Sequence, residues 1–402
     1  MMVDHPLISI TSAKNIKSNA ALVILYVTMF LVIAGVGIIT PFFPFLAKEM
    51  GASSFELGLM VALFSLAQVL AAPFWGRLSD QVGRKPVLVA GLIGYALSYY
   101  LLILAPDLKL LMLSRLVGGL LSASTFPSAQ AYLVDLTSEQ KRGDGMSYMA
   151  AASNLGFVLG PVLGSLLMVL GIRAAFAIGG TLILITGVLA AILLPSMSGR
   201  VSVLHEDRHK DPREIWKAML GRNSVLLWTT LLISFGSITI YSILGYYLIE
   251  KFDALTSDAA IVYTLMGGVS VILQTFVVGK SLRRFGEDVP IIFSLLLGAI
   301  GFAGLIYSPS LSVLYACIVV IAASLAISRP AILVALSRRT RLSQGLTMGL
   351  QGSFDSFGRV VGPMWAGWIF GFSPSLPYWS SVIALTLAAG LQLMAYKAKS
   401  PL

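Results

Sequence analysis

Histidine and cysteine are nearly missing from this chain of 402 residues, which holds three of the first and one of the second. Cys317 stands alone, so no intramolecular disulfide can form and cysteine usage does not report the redox compartment. His5, His205 and His209 fall in hydrophilic stretches, which excludes a histidine metal site or a histidine proton shuttle inside an apolar segment. Charge is scarce as well. Asp, Glu, Lys and Arg make up 11% of the residues, against about 25% in soluble domains. Paired carboxylates and nucleophile–base constellations are not evident, so neither an enzyme nor a cofactor is expected. The first twenty residues lack the short apolar core and small-residue cleavage site of a secretory signal.

What remains is long apolar runs, in a sequence that is 57% hydrophobic. A helix needs about 20 apolar residues to cross the hydrocarbon of a bilayer. Twelve such segments are predicted: 20–47, 55–76, 86–106, 109–135, 145–170, 174–195, 224–249, 258–279, 289–307, 311–336, 344–371 and 376–396. With the N-terminus placed inside, the cytoplasmic loops collect 21 of the 28 Lys and Arg. The opposite side holds Lys48, Lys109, Arg173 and Lys251. That asymmetry predicts a multi-pass protein of the cytoplasmic (inner) membrane with both termini cytoplasmic. It also accounts for the net charge of +10 without a nucleic-acid partner.

The chain is duplicated. Residues 76–85 read Gly-Arg-Leu-Ser-Asp-Gln-Val-Gly-Arg-Lys, and a degraded copy, Gly-Lys-Ser-Leu-Arg-Arg-Phe-Gly, occupies 279–286, an offset of 203. Pro127 and Pro330 share that offset, and Gly-Phe-Val-Leu-Gly-Pro at 156–161 returns as Gly-Arg-Val-Val-Gly-Pro at 358–363. Two halves of six spans each lie in one orientation, related by an axis along the membrane normal. The expected organisation is a cytoplasmic segment 1–19, a first half 20–195, a polar tether 196–222 and a second half 223–402.

These motifs resemble those of the major facilitator superfamily, and most of all its 12-helix drug:proton antiporters such as tetracycline and quinolone efflux pumps. The resemblance covers nearly the whole chain and rests on the 76–85 turn, Gly156-x-x-x-Gly160-Pro161-x-x-Gly164, Leu113-Ser-Arg115-Leu-Val-Gly-Gly119 and Ser328-Arg329-Pro330-Ala331. It implies an all-α fold of twelve transmembrane helices, working as a monomer by alternating access, with protons, a small molecule and the bilayer as partners. In the 76–85 turn, Gly76 and Gly83 are expected to permit a tight reversal and close backbone approach, with Lys85 at the end of the motif. By resemblance, Asp80 faces the start of the eleventh helix near Ser343 and Arg84 pairs with Asp135. Together they form a latch between the halves, closed when the cavity faces outward. Gly156, Gly160 and Gly164 share one helix face beside Pro161, where small residues let backbones approach closely. By resemblance that packing seals the outward side of an exporter.

Four ionisable residues stand deep within spans: Arg115, Arg329, Asp355 and Arg359. Charge at membrane depth costs on the order of 2.5–3.5 kcal/mol, so each is expected to face a cavity or a partner. Asp355 has two open readings, a coupling acid that takes a proton during transport or a permanent counter-ion of the neighbouring arginines. Tyr241 and Ala326 stand where quinolone-type pumps carry acids, and the first span lacks the acid of tetracycline-type pumps. Phe42, Phe43, Phe45, Phe126, Tyr241, Tyr246, Tyr247, Trp365 and Trp368 are candidates for stacking surface, with lipid contact or packing as the alternative for each. Three arginines against one aspartate favour carboxylates or other anions. Drug efflux is the reading the resemblance implies, and export of an endogenous anion such as a carboxylate siderophore is its alternative.

Overall fold

The computed structural model describes residues 7–196, 224–339 and 344–398. Ser343 and all but the first residue of the tether at 196–222 lie outside them. Twelve long helical segments are seen: α1 (Asn19–Glu49), α2 (Ser54–Val82), α3 (Arg84–Ile103), α4 (Leu108–Leu136), α5 (Lys141–Leu170), α6 (Ile172–Leu193), α7 (Ser224–Phe252), α8 (Thr256–Phe285), α9 (Asp288–Ile306), α10 (Leu311–Arg339), α11 (Gln344–Phe370) and α12 (Leu376–Lys397). The described residues contain no strand. All of these segments but α11 are both long and apolar enough to cross a membrane. The exception follows from its sequence, in which Gln344, Gln351, Asp355 and Arg359 stand among several glycines and serines. Large apolar side chains lie bare on the outer faces, Val169 at 89% exposure and Ile192 at 70% among them. A bilayer is the environment such a surface requires.

The boundaries follow local chemistry. A capping box opens α2, with Ser53 and Glu56 satisfying each other's backbone N–H groups. Asp107 caps α4 by accepting from the Leu110 N–H at 2.9 Å. The helix that opens α1 departs from expectation at its start, running Leu7–Ile39 and so beginning twelve residues ahead of the apolar segment rather than at residue 20. Ala13, Lys14, Ile16 and Lys17 are helix-tolerant, so the ladder propagates past the end of the apolar run. Within α8, Gln274–Val278 form a π-helical turn that the sequence did not announce.

The twelve helices alternate in direction, giving a basic end, where α2 meets α3 and α10 finishes, and a far end carrying Lys48, Lys109, Arg173 and Lys251. In the first set of six, α1 packs on α5 and α6, and α3 on α4 and α6. In the second, α7 packs on α11 and α12, and α9 on α10 and α12. Across the divide, α2 lies against α11 and α5 against α8.

Candidate functional site

At the basic end, α2 stays helical through Val82, so the charged turn is shorter than 76–85. Gly83 alone makes the reversal, at φ 97°, and Gly286 repeats it between α8 and α9 at φ 72°. Gly76 therefore lies inside a helix, and a Cβ there would meet nothing within 4 Å. Tight reversal and close approach both fail as its role. Arg84 Nε donates to Asp135 Oδ2 at 3.3 Å and Arg84 Nη1 to Ser79 Oγ at 3.3 Å. Asp80 bonds Arg84 as well, one turn away. Lys85 is half-buried and forms no ion pair among the described residues.

The second set of helices carries a pair that the motifs hid. Glu287 stands 203 residues on from Arg84, and Arg338 stands 203 on from Asp135. Arg338 Nη1 donates to Glu287 Oε1 at 2.7 Å, and Arg339 bonds Glu287 and Asp288 at 2.8 and 2.6 Å. The start of α9 is thus clamped to the end of α10 as α3 is to α4, with the signs of charge exchanged. The duplication offset was the signal that would have found it. Burial alone would raise the Glu287 carboxyl, but the hydrogen bonds from Arg339 and Arg338 outweigh it and hold the group below 4.5, its ordinary value. Each of these ion pairs stays within one set of six.

Gly156, Gly160 and Gly164 seat α5 directly on α1. A Cβ on them would come within 2.5 Å of Phe30 O, 2.7 Å of Ala34 O and 2.6 Å of the Phe42 ring. Pro161 lies inside α5, its Cδ 3.1 Å from where a Gly37 Cβ would sit. The same device recurs where Gly358 and Gly362 of α11 meet α7. These contacts lie within a set of six. The far end is joined across the sets by glycines the sequence reading passed over. A Cβ on Gly58 of α2 would lie 2.2 Å from Pro363 O, and one on Gly367 of α11 would lie 2.4 Å from Ser54 O. One on Gly245 of α7 would lie 2.6 Å from Pro44. Tyr246 donates to Ala52 O at 2.7 Å, and Lys48 and Glu250 approach to 3.5 Å.

Between the sets lies a cavity of about 430 Å³. Arg115, Tyr241, Arg329 and Arg359 all line it, so the charges read from the sequence converge. Asp355 sits just behind. Its Oδ1 lies 3.5 Å from Arg329 Nη1 and its Oδ2 3.7 Å from Arg359 Nη1, and Ser234 donates a hydrogen bond to it. Arg329 Nη2 donates to Ser237 Oγ at 2.9 Å. Tyr241 meets Phe157 of α5 edge-on across the divide, ring centroids 6.2 Å apart. Asn154 of α5 donates to Gln274 at 3.1 Å, where the π-helical turn of α8 begins.

Other aromatic residues of the cavity wall, Phe64, Tyr95, Tyr99 and Phe157, were not singled out from the sequence. Among the aromatic candidates that were, Phe43 lines the cavity. Trp365 and Trp368 instead meet each other at a tilt, ring centroids 5.5 Å apart, exposed on the outer surface of α11. Spacing alone does not separate a cavity face from a lipid face when both are apolar.

A model of the Major Facilitator Superfamily matches residues 25–363. The chain belongs to that family. It is a multi-pass membrane transporter and not an enzyme. "Multidrug resistance protein 2" of Bacillus subtilis (strain 168) is 28% identical over 393 residues, 95% of this chain and 96% of that protein. "Quinolone resistance protein NorA" of Staphylococcus aureus is 27% identical over 366 residues, 90% and 93% of the two chains. Among solved structures, a bacterial homologue of the lysosomal transporter Spinster, inward-facing and unoccupied, superposes with a TM-score of 0.78 at 15% identity, covering 95% of this chain and 97% of that one. The nucleoside transporter NupG gives 0.76 at 14% identity, over 94% and 98%. These two likenesses speak for the fold alone.

Proposed function

We propose that this transporter exports small organic molecules, drugs and antibiotics among them, across the cytoplasmic membrane in exchange for protons. The observation that carries the reading is the mid-depth cavity with one carboxylate, Asp355, set behind two lining arginines. The full-length similarity to multidrug and quinolone resistance proteins supports it. The siderophore alternative finds no support among the relatives.

The basic end is the cytoplasmic one, because Lys and Arg concentrate there. Both termini then lie inside, and one chain suffices for transport. Closure of the far end by Gly58, Gly367 and the Lys48–Glu250 pair makes the described conformation inward-facing. Residues 20–195 and 223–402 move as two bodies about the cavity, and the segment between them serves as tether. In the outward-facing state Asp80 leaves Arg84 for the start of α11, where the positive end of a helix attracts a carboxylate. The Gly156–Gly164 face keeps α5 and α1 moving as a unit.

Asp355 carries the proton. Its carboxylate is shared by two guanidinium groups at 3.5 and 3.7 Å, both longer than a close charge-assisted bond. A substrate that engages either arginine loosens that hold, and a proton on Asp355 releases the arginines in turn.

The test is uptake of a fluorescent quinolone into everted membrane vesicles whose interior is acidified. Accumulation that collapses with the pH gradient is expected, and Asp355→Asn should abolish uphill transport while binding persists. Uphill transport without a pH gradient, or intact coupling in Asp355→Asn, contradicts the reading.

A further inference from the structure

The clamp at the start of α9 uses only part of the degraded copy at 279–286. Glu287 and Asp288 are taken by Arg338 and Arg339. Lys280, Arg283 and Arg284 are left at the end of α8, all exposed and without a carboxylate partner among the described residues. On α2 the positions 203 earlier hold Arg77, Asp80 and Gln81, whose charges cancel. A helix C-terminus favours cations in its last turn, which accounts for Arg283 and Arg284 but not for the surface beside them. Ile272, Phe276, Lys280 and Arg284 follow one another at steps of four and so share one face of α8. Ile272 is 57% exposed and Phe276 61%, so two bare apolar side chains lead up to the cations. Gly279 leaves a dent among them. Outside the helix's own backbone, a Cβ there would have only Arg283 Nη1 as a neighbour, at 3.9 Å. The Arg284 guanidinium lies 5.4 Å from the centroid of the Phe285 ring.

We propose that the end of α8 is a docking site for an anionic phospholipid. The lipid phosphate lies over Gly279, between Lys280 and the guanidinium groups of Arg283 and Arg284, whose planar forks match phosphate oxygens. One acyl chain runs along Phe276 and Ile272. The charge of the cluster selects the headgroup. A choline or ethanolamine would bring a further cation to three cations that have no acid beside them, whereas an anionic headgroup offsets them. At the matching depth of α2, Asp80 stands one turn from Arg77, so a zwitterionic headgroup is served as well there as an anionic one. The apolar stripe commits the site to a lipid, because a soluble phosphate would leave Ile272 and Phe276 without a partner.

The test is quenching of a fluorescent label on Val277→Cys, in a Cys317→Ser background of the full chain, by nitroxide-labelled lipids in phosphatidylcholine nanodiscs. Phosphatidylglycerol and phosphatidylcholine are compared, each with the nitroxide at the same place on the same acyl chain. Phosphatidylglycerol should be enriched about tenfold at position 277, as expected for several charge-assisted contacts at the membrane surface. With Lys280→Gln, Arg283→Gln and Arg284→Gln combined, the two lipids should quench alike. Gly279→Leu fills the dent and leaves every charge in place, and it should remove most of the preference. The same label on Phe74→Cys, the matching position of α2, should show none. Equal quenching by the two lipids at position 277, or a preference that survives the triple substitution, would overturn the proposal. A preference of equal size at position 74 would overturn it too, because the whole basic end would then gather anionic lipid without a site. So would a preference that excess inorganic phosphate removes at constant ionic strength, because the ligand would then be a soluble anion.

Discussion

Asp355 and Arg115 are both charged and both deep in the bundle, yet the structure holds them differently. Asp355 has Ser234, Arg329 and Arg359 around it, whereas two Arg115 donors have an aromatic ring beside them and no acceptor among the described residues. The difference predicts opposite responses to substitution. Arg115→Leu removes a buried cation whose unmet donors each cost about 1–3 kcal/mol and loses a ring contact of about 0.5–2 kcal/mol. Its melting temperature in nanodiscs should equal or exceed that of the parent. Asp355→Leu leaves two arginines facing each other without a counter-ion and should melt lower. The four embedded charges could be read from the sequence because apolar spans make any charge conspicuous. Their partners Ser234 and Ser237 could not, because serine is common in such helices and only the meeting of α7 with α10 and α11 selects these two.

At the scale of the element, glycines decide which helices touch. The Gly156–Gly164 spacing was legible, since i and i+4 residues share a face on any helix. Gly58 and Gly367 carry no such pattern, and only the approach of α2 to α11 gives them meaning. Gly58→Ala places a methyl on Pro363 O and forces the far end to shift, at about 1–3 kcal/mol for overpacking. A cysteine at position 250 should then react with an impermeant maleimide about tenfold faster than in the parent, the equivalent of roughly 1.4 kcal/mol. An unchanged rate would mean that this contact does not hold the far end shut.

The clamp between α9 and α10 gives a second prediction at this scale. The Glu287 carboxyl is held below its ordinary value, so its stabilisation is fully present above the usual glutamate range. It is lost as pH falls through the depressed value. Thermal stability should therefore drop on acidification below about pH 4.5, and the drop should be smaller in Glu287→Gln, which lacks the titrating group. The clamp escaped the sequence motifs because its charges are exchanged between the halves; a match by residue type misses what a match by position and opposite sign detects.

For the whole molecule, the twelve long helices could be read from apolar length, a property of the chain alone. Which face of the bundle is shut could not, because a sequence compatible with two packings does not say which one is populated. Transport as proposed requires the two sets of six helices to exchange those packings about the central cavity. Gly76 and Gly349 lie in α2 and α11 near the basic end, and a Cβ at either meets nothing within 4 Å, so spin labels fit there. Lys48 and Glu250 report the far end. The decisive measurement is double electron–electron resonance on both pairs of cysteine variants, in a Cys317→Ser background, with and without a quinolone and at neutral and acid pH. The Gly76–Gly349 distance should shorten as the Lys48–Glu250 distance lengthens, with substrate and pH moving both populations together. Distances that ignore substrate and pH, or that change at one end without the other, would contradict it.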